Sequence, residues 1–294
     1  MSTAEVYQAV GSLVVLILLA LSVRIWSDLW KRFRAGQPPL PMKFPGTTVR
    51  APRFALCLTV LYLLLNFAPQ PAPPAHAEEP PPAKTEEQEL RHAERMLAAT
   101  LMVSLIILPV LLGAVVLEVR STTGLQLLGF RSDDLTEQIS TGVKGFLAAI
   151  LPVALLLLIS FPLRSEEAIH PFLKLLHRES SGLNILMIFL TAGILAPLTE
   201  ELMFRVILQT QLLEIFTPKV AITLCALIFS AVHGLPDSIP LMGLSLVLGT
   251  VYYYQRSYLT IVLIHAIFNF SNLIGMFIPD APPLQEEFSL PPSP

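Results

Sequence analysis

The stretch Ala196-Pro197-Leu198-Thr199-Glu200-Glu201-Leu202-Met203-Phe204-Arg205 sets two carboxylates and a guanidinium between apolar runs. In such surroundings a charge costs on the order of 3 kcal/mol or more, so one that persists faces a cavity or a partner. Pro197 suits the first turn of a helix, where its missing N–H is not needed, and acidic residues just behind it favour the positive end of the helix dipole. A helix is therefore expected to start near Pro197. On it Glu200 and Glu201 point in different directions, whereas Glu201 and Arg205, four apart, share a face and can pair. Glu200, left to face a wet pocket, is the candidate base. The plainer reading is an ion-paired trio that only pins helices together.

Outward from this stretch the chain is hydrophobic: 53% of its 294 residues are apolar and 14% charged, with a mean hydropathy of +0.65. Those values lie outside the range of soluble domains and call for an all-α, polytopic transmembrane bundle. About eight spans of bilayer length or nearly so follow from the apolar runs, at 6–26, 54–67, 97–117, 145–161, 183–216 bent at Pro197, 220–233, 239–254 and 259–278. The basic and aromatic flank Arg24, Trp26, Trp30, Lys31, Arg32 and Arg34 marks a cytoplasmic interface after the first span and puts the N-terminus outside. A multi-pass protein of the cell (inner) membrane is expected.

Residues 1–95 read as an N-terminal extension with two spans and a Pro- and Glu-rich linker, residues 96–280 as the main domain, and 281–294 as a disordered Pro-rich tail. The loop 162–182 carries His170, His177, Glu166, Glu167 and Glu179 on no metal-ligand spacing, which suits a solvated segment. The net charge of −3 says little about partners, and no basic block suggests nucleic acid, so none is expected. Cys57 and Cys225 both sit in apolar runs and give neither a disulfide framework nor a zinc finger.

Two later spans bring further polar groups. Phe229 and His233 lie one turn apart at the end of the sixth, and His265 and Asn269 share a face of the eighth. Taken singly, these fit an interfacial histidine and an interhelical contact. Together a carboxylate, two imidazoles and an amide are parts for activating water and holding an oxyanion. Ser230 and Ser245 have no evident catalytic setting, and no HExxH helix, GxSxG elbow or Walker loop is present. Straight spans would set His233 near one membrane face and His265 toward the other, so convergence requires tilted or kinked helices.

In order, Glu200-Glu201-x-x-x-Arg205, Phe229-x-x-x-His233 and His265-x-x-x-Asn269 resemble the three signatures of the CAAX prenyl protease and bacteriocin-processing family, also called CPBP or Abi. The resemblance spans roughly 97–278 and implies an intramembrane endopeptidase. By similarity Glu200 and His233 activate the attacking water, His265 and Asn269 stabilise the oxyanion, and Glu201, Arg205 and Phe229 support them. No cofactor is favoured; a divalent metal such as Zn²⁺ is the alternative, on Glu200, His233 and His265. The implied partners are a peptide or protein substrate reached from the membrane, and the bilayer itself. A proton-coupled transporter using the same groups as a relay, or an inactive bundle that binds a membrane partner, are the competing functions.

Overall fold

The computed structural model describes residues 3–44, 50–67, 86–163 and 181–275. The linker before residue 86, the His- and Glu-containing part of the loop at 164–180 and the tail at 281–294 lie outside the described residues. Within them the chain forms helices and no strand: α1 (Thr3–Arg34), α2 (Arg53–Phe67), α3 (Glu86–Val119), the short α4 (Thr122–Leu127), α5 (Leu135–Ser160), α6 (Gly182–Ile215), α7 (Pro218–Ala231), α8 (Ser238–Gln255) and α9 (Tyr258–Gly275). Five of these (α1, α3, α5, α6 and α9) are long and apolar enough to cross a membrane, and α2 and α7 are shorter apolar helices. With α8 they make the eight hydrophobic helices of a polytopic bundle.

Three elements differ from the expected boundaries. The third helix begins at Glu86 rather than near residue 97, because Glu87 and Arg91 pair one turn apart and Glu94 accepts a hydrogen bond from Asn184 of α6 at 3.0 Å. Glu86, Glu87 and Glu89 thus belong to a helix and not to the linker. The fifth begins ten residues earlier than its apolar run, since its first turns are held by polar contacts: Gln138 accepts from Ser257 Oγ at 2.6 Å and its carbonyl accepts from Thr260 Oγ1 at 3.1 Å. And α6 runs through Pro197 instead of starting there.

That continuity has a local cause. The α-helical turn Ala196–Glu201 is bracketed by π-helical stretches, Phe189–Leu195 and Leu202–Gln209. In the wider π-turn an N–H bonds the carbonyl five residues back, and Ala196 N–H indeed points to Thr191 O. The next acceptor in this register is Ala192 O, whose donor would be Pro197, which has no N–H. Asn269 Nδ2 of α9 fills the gap, donating to Ala192 O at 2.8 Å. The proline is accommodated without breaking the helix because a side chain from a neighbouring helix replaces its donor.

Packing centres on α5 and α6. The former lies against α1, α8 and α9, the latter against α2, α3, α7 and α9, and α7 packs on α8. Phe204, Phe229, Tyr252, Leu202, Leu244 and Ile264 form the buried core between them. Without water to drive apolar surfaces together inside a bilayer, helices associate through close contact at small residues. Gly243 of α8 shows this: a Cβ there would stand 3.1 Å from the Pro152 carbonyl carbon and Val153 nitrogen of α5. By contrast α1 turns Leu13, Val14, Val15, Leu16 and Ile17 outward, as a lipid-facing helix does.

Candidate active site

The α-helical turn between the two π-stretches of α6 presents Glu200 and Glu201 to different surroundings. Glu201 is fully buried and accepts from Arg205 Nη1 at 3.0 Å and from His265 Nδ1 at 2.7 Å. Arg205, equally buried, gives its Nη2 to Ser245 Oγ of α8 at 2.7 Å, and its guanidinium carbon sits 4.5 Å from the centre of the Phe229 ring. Such a pair, dry and bonded on several sides, is costly to break by removing one partner alone. Glu200 instead keeps 23% of its side chain accessible. Its Oε2 lies 3.8 Å from His233 Nε2 and 3.9 Å from His265 Nε2, and has no hydrogen-bond partner among the described residues.

Both imidazoles are oriented from behind. His233 Nδ1 lies 2.7 Å from Phe229 O; a carbonyl only accepts, so Nδ1 carries the proton and Nε2 faces Glu200. His265 Nδ1 donates to the Glu201 carboxylate, and its Nε2 faces Glu200 as well. Phe229 fills the space between the rings, tilted on His233 at 4.8 Å and edge-on to His265 at 5.8 Å, and Phe204 meets it edge-on at 5.1 Å.

Convergence of His233 and His265 resolves the difficulty posed by straight spans. With 14 residues, α7 rises only about 21 Å, less than the roughly 30 Å of a hydrocarbon core. His233, just beyond its end, therefore reaches Glu200 of α6, beside which His265 of α9 also stands. Asn269 stands one turn further along α9, half-buried, and the polar contact it makes is the one to Ala192 O.

Two residues of this neighbourhood escape a reading of motifs. Ser245 holds Arg205, although its setting between leucines shows only a small polar residue of the kind that bridges membrane helices. Tyr62 of α2 packs on the core and lies within electrostatic range of Glu200. Its signal in the sequence is faint, one phenol in the leucine run of a helix outside the three motifs.

One carboxylate and two imidazoles with outward-bonded Nδ1 atoms are a donor set of the type that zinc accepts. As placed, however, no three His, Cys, Asp or Glu side chains among the described residues are grouped to hold a metal ion. Glu200, His233 and His265 are the residues that would hold such an ion, and it would supply an activated water there.

Fold and site together define a polytopic membrane protein with a carboxylate–imidazole cluster sunk into its helical bundle. Residues 182–271 match the family model of the type II CAAX prenyl endopeptidases, Rce1-like. The matched segment contains all seven residues of the three motifs and bears out the resemblance they suggest, over a narrower range than 97–278. Neither a curated protein nor a solved structure matches the chain.

Proposed function

We propose that this protein is an intramembrane endopeptidase in which Glu200 is the general base. The observation that carries the reading is the unpartnered Glu200 Oε2 held 3.8 and 3.9 Å from two imidazole Nε2 atoms. Those separations are too long for direct hydrogen bonds and suit one water seated beside all three groups. His233, protonated at Nδ1, offers its Nε2 lone pair to a water hydrogen and turns the oxygen toward an incoming peptide carbonyl.

As the water oxygen bonds to the carbonyl carbon, its proton passes to Glu200 and the carbonyl electrons move onto oxygen. His265 answers that charge with Nε2–H on the oxyanion and Nδ1–H on Glu201, and it carries the same protons into and out of the step. Asn269 has a second amide hydrogen beyond the one given to Ala192 O, and the proposal assigns it the same role at the oxyanion. Collapse of the tetrahedral intermediate breaks the C–N bond, and the departing amine takes the proton from Glu200. Preorganised donors in a dry site make the largest contribution to such a reaction. The matching family implies a substrate near a prenylated C-terminus, reached from the bilayer or its surface.

Replacing Glu200 with Gln keeps the shape and removes the base. The expected result is a loss of turnover of roughly 10²–10⁴-fold with an unchanged melting temperature in detergent; cleavage at the normal rate would refute the assignment. Metal analysis of the same preparation, with activity measured after chelation, tests the metal-free form of the mechanism. Stoichiometric zinc whose removal abolishes activity would replace it with a metal-held water.

A further inference from the structure

A cavity of about 1130 Å³ lies away from the catalytic cluster, between α1, α5, α8 and the 37–41 segment that follows α1. Its walls are apolar and aromatic, with Trp26, Leu29, Phe33 and Val247 among them. Trp26 is fixed in place by donating Nε1–H to Ala148 O at 2.9 Å. The half-buried Ser140 and Thr141 bring hydroxyls from α5.

The charges at its polar end do not cancel. Asp28 is paired with Lys31 at 3.0 Å and Glu137 with Lys43, two cations outside the cavity wall. Arg32 gives its Nε–H to Pro38 O, leaving the two Nη groups without a carboxylate among the described residues. Lys144, ten residues into α5, likewise has no carboxylate partner among them. A greasy cleft lined by two cations without a carboxylate partner among the described residues, beside the tryptophans and basic residues expected at the cytoplasmic interface, has the polarity of an anionic amphiphile.

We propose that this cavity is a binding site for an anionic phospholipid of the cytoplasmic leaflet, its phosphate on Arg32 and Lys144 and its acyl chain along Trp26, Leu29 and Phe33. The proposal does not depend on the protease reading, since none of these residues belongs to the cluster around Glu200.

The test uses the full chain in a neutral detergent, titrated with phosphatidylglycerol or phosphatidylcholine of matched chain length. Retained lipid is read by native mass spectrometry and the melting temperature is followed in parallel. The parent protein is expected to retain phosphatidylglycerol in preference and to be stabilised by it alone. Arg32→Gln with Lys144→Gln is expected to lose that preference by roughly 30-fold, the effect of two cations at an anionic surface, and Lys144→Arg to keep it. Equal retention of the two lipids by the parent overturns the proposal without recourse to any variant. An unchanged preference in a folded double variant, or displacement by inorganic phosphate as effective as by phosphatidylglycerol, overturns it too.

Discussion

Glu200 and Glu201 are neighbours in sequence with opposite environments, and the difference predicts opposite consequences of the same substitution. Glu201 is fully enclosed, joined to Arg205 and His265; Glu201→Gln leaves the Arg205 guanidinium without its counter-ion, at a cost of about 3–5 kcal/mol. Thermal unfolding in detergent checks this, at roughly 2–4 °C per kcal/mol for a chain of a few hundred residues. Glu200→Gln, at a half-buried position whose Oε2 has no hydrogen-bond partner among the described residues, is expected to leave that midpoint within about 0.5 kcal/mol of the parent. A similar loss of stability in both variants would mean that the pair acts as one structural unit. The division between the two carboxylates is legible in the sequence because a four-residue spacing puts Glu201 and Arg205 on one face. The remaining ties are not, since Ser245 lies 40 residues from Arg205 and nothing local in its leucine-rich run announces which helix it meets.

At the scale of elements, the two π-turns of α6 explain how one helix carries a proline and three charges. They also give Asn269 a task separate from oxyanion binding. If Asn269 replaces the N–H that Pro197 lacks, the two residues are energetically coupled through Ala192 O. Asn269→Leu is expected to destabilise the protein by about 1 kcal/mol, the scale of interhelical hydrogen bonds in membranes, and Pro197→Ala should remove most of that penalty by restoring a backbone donor. A double-mutant cycle on melting temperature measures the coupling. Additive effects would show that Ala192 O does not link them. Activity separates the roles further, because an oxyanion donor lost in Asn269→Leu stays lost when Pro197 is also replaced. Apolar runs made the helices themselves legible, together with Pro197 as an anomaly within one of them. The π register was not, because it depends on an acceptor that only the distant α9 satisfies. Nor were the starts of α3 and α5, whose polar first turns look like loop until their partners are known.

For the whole molecule, the informative relation is between the N-terminal helices and the segment that matches the family. Composition suffices to make residues 1–67 membrane helices, but the three motifs say nothing about what those helices touch. In the structure α2 packs on the π-turn Leu202–Gln209 of α6, and Tyr62 on it lies within electrostatic range of Glu200. Its first turn is capped by Glu118 at the end of α3, whose carboxylate accepts from Arg53 N at 2.6 Å and from Phe54 N at 3.0 Å. An anion there satisfies N–H groups left open at a helix start and complements the dipole. On the other side, α1 is tied to α5 by Trp26 and by Ser22, which accepts from Leu151 N at 3.1 Å. These contacts pack the first two helices against α3, α5 and α6. A chain beginning at Glu86 is therefore expected to melt several degrees lower, at roughly 2–4 °C per kcal/mol, and to lose turnover beyond what its folded fraction accounts for. Adding the separately produced residues 1–85 should recover both. Full stability and full activity in the shortened chain would show instead that the family segment and its neighbours stand alone and that α2 only borders the site.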